Sequence, residues 1–261
     1  MSVTATSPLP KRLVGVSLKM YFDLDDTESY IQSLRETYKG SSNSCGLFVI
    51  PSSPAIRSAT VILHDTPQIS IGAQDCHWED KGAYTGETSP LLLKQLGCTL
   101  VEVGHAERRR APLNEDDAMV AKKAQAAMRN GLIPVVCIGE KAQSKIASEG
   151  VGLATRECVP QVMAVLDSIP QDVPLIFAYE PVWAIGAQQP ASADHVCTVV
   201  QQLRSIVRQK GRTGECRILY GGSAAPGTWD ALKSAVDGLF LGRFAHDIEN
   251  FKKVVSEVEK E

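Results

Sequence analysis

Leu175-Ile-Phe-Ala-Tyr179-Glu180-Pro-Val-Trp-Ala-Ile-Gly186 is the stretch on which the fold turns. Leu175 to Tyr179 is a short apolar, β-rich run, and Pro181 cannot extend a sheet ladder, so Glu180 sits where a strand stops. Val182 to Gly186 is apolar and carries no helix cap, which predicts a loop able to fold over whatever Glu180 faces. Alone, the pattern fits either a solvated turn carboxylate or a base beneath a lid.

On both sides the same unit recurs. Upstream, Leu13–Ser17, Gly46–Ile50, Ile69–Ala73, Thr99–Val103 and Ile133–Ile138 read as buried strands. Downstream, Arg217–Tyr220 and Gly238–Leu241 do the same. Helical patterns separate them. The first carries Tyr30, Ile31, Leu34 and Tyr38 on one face, with Asp25 or Asp26 expected to cap it. Another begins at Ser89-Pro90, where proline suits the first turn. Asn130-Gly131 ends the helix expected to bury Val120, Ala124, Ala127 and Met128. A less regular helical region over 140–168 is expected to break at Glu149-Gly150. The clearest stripe is Val196, Val199, Val200, Leu203, Ile206 and Val207, and the last helix buries Ile248, Phe251, Val254, Val255 and Val258. Eight apolar strands alternating with helices predict a single-domain (β/α)8 TIM barrel. Active sites in such barrels lie at the C-terminal strand ends, where Lys19, His105, Glu107, Glu180, Ser223 and Gly242 would converge on one mouth.

Composition narrows the function classes. The 261 residues suit one barrel domain, expected over 11–261, with 1–10 as a flexible tail. Lys and Arg total 27 against 30 Asp and Glu, a balance that gives no sign of binding to nucleic acid or an anionic membrane. No segment reads as a secretory signal or a membrane span. Seven cysteines without a Cys-x-x-Cys pair argue against a disulfide framework or a zinc site and fit a reducing, cytoplasmic setting.

Ser17-Leu-Lys19-Met, Gly82-Ala-Tyr-Thr-Gly-Glu87, Val103-Gly-His105-Ala-Glu107-Arg-Arg109, Cys137-Ile-Gly-Glu140, Tyr179-Glu180-Pro-Val-Trp-Ala-Ile-Gly186, Tyr220-Gly-Gly-Ser223 and Asp237-Gly-Leu-Phe-Leu-Gly242 occur in order along the chain. In these motifs the sequence resembles the triosephosphate isomerase family from Leu13 to the last helix. The resemblance implies a phosphosugar isomerase working through an enediolate, with no cofactor and no metal. Glu180 would be the base, His105 a neutral electrophile, Lys19 the oxyanion stabiliser and Glu107 its ion-pair partner. Substrate phosphate would rest on backbone N–H groups at Gly186, Ser223 and Gly242. A homodimer through the loop Tyr84-Thr85-Gly86 is implied in the same way.

The family usually has Asn at Ser17, Trp at Leu18, Ser at Ala106 and glycine at Arg243, and Ala187-Gln-Gln-Pro190 departs from its usual far hinge. The Arg243 guanidinium is expected either to contact phosphate or to point outward. With His77-Trp78 and Ala191-Ser-Ala-Asp194, several of these features are similar to a bacterial branch that isomerises L-erythrulose 1-phosphate to D-erythrulose 4-phosphate. The leading expectation is the commoner substrate, dihydroxyacetone phosphate, interconverted with D-glyceraldehyde 3-phosphate in glycolysis and gluconeogenesis. The tetrulose phosphate is the alternative. A barrel that binds phosphate ligands without turnover is the reading from another class.

Overall fold

The computed structural model describes residues 9–187 and 190–260. Its strands are β1 (Leu13–Ser17), β2 (Gly46–Ile50), β3 (Ile69–Ala73), β4 (Leu100–Val103), β5 (Ile133–Ile138), β6 (Leu175–Tyr179), β7 (Cys216–Tyr220) and β8 (Gly238–Leu241). They pair in parallel in chain order, and β8 returns to β1 through Leu13 opposite Gly238 and Val16 opposite Leu241, closing the barrel. The helices are α1 (Leu24–Tyr38), α2 (Ile56–Ile62), α3 (Pro90–Gln95), α4 (Ala106–Arg109), α5 (Asp117–Arg129), α6 (Ala147–Leu166), α7 (Ala193–Gln209), α8 (Thr228–Leu232) and α9 (Ile248–Glu259). The expected (β/α)8 fold is the one observed.

Strand alternation separates two cores. Residues such as Val14, Val16, Val49, Val101 and Val136 face outward and pack with the helices. Leu13, Phe48, Leu100, Val135, Ile176 and Phe240 face inward and fill the lower barrel, where the Phe48 and Phe240 rings stack with centroids 5.6 Å apart. Leu9 belongs to this inner cluster. Its carbonyl and that of Pro10 accept hydrogen bonds from Arg217. Residues 1–8 of the expected tail lie outside the described residues.

Two local expectations are corrected. Asp23, rather than Asp25 or Asp26, caps α1: its carboxylate accepts the Asp26 N–H at 2.8 Å, leaving Asp25 and Asp26 in the first turn, where the helix dipole favours acids. The helix α6 does not break at Glu149-Gly150 but runs unbroken from Ala147. A Cβ on Gly150 would come 3.5 Å from His195 Nδ1, so the small residue lies where α7 comes close. Among the described residues no helix is long and apolar enough to cross a membrane, and all seven cysteines are free.

Candidate active site

One open cavity at the C-terminal ends of the strands is lined by all nine residues singled out above: Ser17, Lys19, His105, Glu107, Glu180, Gly186, Ser223, Gly242 and Arg243. Glu180 follows β6 immediately and is 4% exposed. Glycine makes room for it. A Cβ on Gly221 would fall 2.5 Å from Glu180 Oε1, so a larger residue there would displace the carboxylate. Oε2 lies 3.3 Å from His105 Nε2 yet receives no hydrogen bond from any described residue, which leaves a buried oxygen free to take a proton. Burial, then the neighbouring Glu102 charge, pushes the Glu180 carboxyl well above the usual carboxylate range, while Lys19 opposes the shift.

His105 caps the short helix α4, and its Nδ1 accepts the Glu107 backbone N–H at 3.1 Å. That bond requires an unprotonated Nδ1, so the ring proton resides on Nε2, the nitrogen facing Glu180. Burial and the Lys19 charge lower the imidazole pKa to about 4. His105 is therefore a neutral donor at neutral pH.

Lys19 adopts φ +50°, uncommon for a side-chain-bearing residue. Its carbonyl is held by Ser52 Oγ at 2.9 Å and Gln74 Nε2 at 2.8 Å, which fixes the strained turn. The ammonium meets Glu107 Oε1 at 3.0 Å. Burial alone would lower the Lys19 pKa, but Glu107, Glu180 and Glu102 together raise it, so the cation persists.

The turns after β6, β7 and β8 form the opposite side of the mouth. Ser223 Oγ donates to the carbonyls of Ala184 at 2.9 Å and Ala187 at 3.2 Å, tying the turn after β7 to the loop after Glu180. That loop opens with a 3-10 turn, Val182–Ala184, whose Trp183 Nε1 donates to Glu140 Oε1 at 2.9 Å. The Glu140 carboxylate also accepts from Tyr179 OH at 3.1 Å and contacts His195 Nε2 at 3.0 Å. Gln188 and Gln189 of the expected far hinge lie outside the described residues. Arg243, left open between two directions, is exposed and lines the rim of the cavity. A Cβ on Gly186 would sit 3.3 Å from its Nη2, and the guanidinium lies 5.8 Å from the Tyr21 ring centroid.

Sequence reasoning missed three contributors. Glu140 and His195 brace the loop, although the motif containing Glu140 was recognised. Glu102 was passed over within an apolar strand, where a lone acid among Leu100, Val101 and Val103 was itself the signal. It points into the barrel, is 3% exposed and accepts Ser17 Oγ at 3.1 Å. Burial raises its carboxyl pKa to about 7.

A buried carboxylate set against a neutral imidazole and an ammonium, at the mouth of a closed (β/α)8 barrel, defines an enzyme site suited to moving a proton between adjacent carbons. The chain belongs to the triosephosphate isomerase family: the family model of that description matches residues 12–258, and the protein is a phosphosugar isomerase. The L-erythrulose-1-phosphate isomerase of Pectobacterium atrosepticum is 41% identical over 254 residues, covering 95% of each chain. Enzymes of the same name from Brucella abortus and Rhizobium etli are 36% identical over 252 residues and 37% identical over 249 residues. These alignments cover 95% and 94% of this chain, and 96% and 91% of the respective relatives.

Proposed function

We propose that the protein interconverts L-erythrulose 1-phosphate and D-erythrulose 4-phosphate. The observation that carries this reading over the triose phosphate expected first is the name shared by full-length relatives at 34–41% identity. Ser17 adds weight, because it is smaller than the family's usual Asn beside the substrate and leaves more room for a fourth carbon.

In this mechanism Glu180 removes the proton from the hydroxyl-bearing carbon next to the carbonyl. The enediolate that forms is stabilised by His105 Nε2–H and the Lys19 ammonium, and Glu180 returns the proton to the former carbonyl carbon. A base with a raised pKa is the stronger base once ionised, and a neutral imidazole donates without first losing a charge to water. Glu107 holds Lys19 in reach. Backbone N–H groups at Gly186, Ser223 and Gly242 take the phosphate, and the Arg243 guanidinium adds a charge-assisted contact.

The proposed assembly is a homodimer in which Tyr84-Thr85-Gly86 packs beside the partner's site. Tyr84 is 43% exposed, and Met20, next to Lys19, is 92% exposed, as an uncovered contact surface would be. Seven free thiols suit a cytoplasmic setting. The test is turnover of L-erythrulose 1-phosphate against dihydroxyacetone phosphate by the purified protein, with the tetrulose expected to be the better substrate.

A further inference from the structure

Of the buried carboxyls lining the cavity that the catalytic roles above leave unused, Glu115 is ion-paired with Arg108 and Lys123, whereas Glu102 is not held in this way. Glu102 shares the inward face of β4 with Leu100, at a level where the barrel interior changes from apolar to polar. Its hydrogen-bond partners among the described residues are the Ser17 hydroxyl, at 3.1 Å from Oε2, and the Cys137 thiol, at 3.7 Å from Oε1. Neither is a cation, and the thiol is a weak donor. A carboxyl so deeply buried on such partners is unfavourable for folding, and an apolar residue would fill the same volume at lower cost. Its position therefore asks for a ligand-facing reason.

Topology supplies one. With eight strands closed in chain order, β4 lies across the barrel from β8. The turns after β6, β7 and β8 carry the proposed phosphate site, so a substrate anchored there extends its other end toward the far wall. The Ser17–Glu102 bond joins β1 to β4 across the interior and forms part of the cavity floor. L-Erythrulose 1-phosphate differs from dihydroxyacetone phosphate by one hydroxymethyl group, and that group lies at the end away from the phosphate. A hydroxyl both donates and accepts, and a carboxyl that titrates near neutrality can complement it in either form.

Resting on the substrate reading above, we propose that Glu102, oriented by Ser17, hydrogen-bonds the hydroxyl of the additional carbon and is a specificity-determining residue of this site. A pocket group that pairs with a substrate hydroxyl favours the substrate that carries it and is left unpaired by the one that lacks it. Cys137 lies between the Glu102 and Glu180 carboxyls and keeps the two functions adjacent.

The experiment compares kcat/KM for L-erythrulose 1-phosphate and dihydroxyacetone phosphate in the wild type, Glu102→Val and Glu102→Gln, with thermal melting recorded for each. The Val variant is expected to lower the tetrulose-to-triose ratio by about 10- to 100-fold, and Gln, which keeps both a donor and an acceptor, to restore most of it. A ratio within about twofold of wild type in a folded Val variant overturns the proposal, as does an equal loss on both substrates. If Glu102→Val does not fold, Ser17→Ala is measured instead: a several-fold fall in the ratio supports the proposal and an unchanged ratio overturns it. A wild type that prefers the triose refutes the substrate reading. A tetrulose-preferring wild type whose ratio ignores Glu102 refutes only the role of Glu102.

Discussion

The lower and upper halves of the barrel interior are built by the same strands yet hold opposite chemistry. β4 contributes Leu100 below and Glu102 above, and β6 contributes Ile176 and Ala178 before Glu180. Below, Phe48 and Phe240 stack, and Gly15 leaves the space that the Phe48 ring occupies. Above, Glu102, Glu107, Glu180 and Lys19 share one cavity with the neutral His105. The lower half gains by excluding water from apolar surface, whereas the upper half gives up stability to hold charge where a substrate can meet it.

That contrast is broken most severely at Glu180. Replacing it with Gln is expected to lower kcat by about 10³- to 10⁴-fold, at the upper end of what one general base contributes, and steady-state assay checks it. Its raised folded-state pKa means a stability contribution present below the unfolded value and lost as pH rises, so at pH 8 Glu180→Gln is expected to melt above wild type. Activity and stability should move in opposite directions.

Phe48→Ala should do the reverse. Removing a fully buried ring from the lower core is expected to cost about 3–5 kcal/mol in denaturant unfolding, with the ratio of kcat/KM for the two substrates unchanged in whatever protein remains folded. A shift in that ratio would show that the halves are not separable.

The third effect is smaller and sharpens the boundary between the halves. Burial raises the Glu102 carboxyl to about 7, so its contribution is fully present below the unfolded value near 4.5 and is lost as pH rises through 7. Between pH 5 and pH 8 the wild type should therefore lose about 2–3 kcal/mol more stability than Glu102→Gln, read from unfolding curves at the two pH values.

The lower half and the outer shell were legible because their signal is local. Short apolar runs with period-two burial, ended by Gly or Pro, specify strands wherever they occur, and the strand-end position of Glu180 followed from Pro181. Other features depend on the closed barrel. The acid in Leu-Val-Glu-Val looks like a tolerated surface residue until closure makes its face the interior. Arg243 had two open directions in sequence, and its approach to Gly186 and Tyr21 is set by residues more than 50 positions away. The α1 cap was misplaced because three acids, Asp23, Asp25 and Asp26, stand close together and only backbone geometry selects the one that reaches an unpaired N–H.

The central claim is that the upper half is shaped for a four-carbon phosphoketose. Steady-state kcat/KM of the purified protein with L-erythrulose 1-phosphate and with dihydroxyacetone phosphate, measured side by side, tests it most directly. The account predicts a preference for the tetrulose of about a hundredfold. A preference of similar size for dihydroxyacetone phosphate would contradict it.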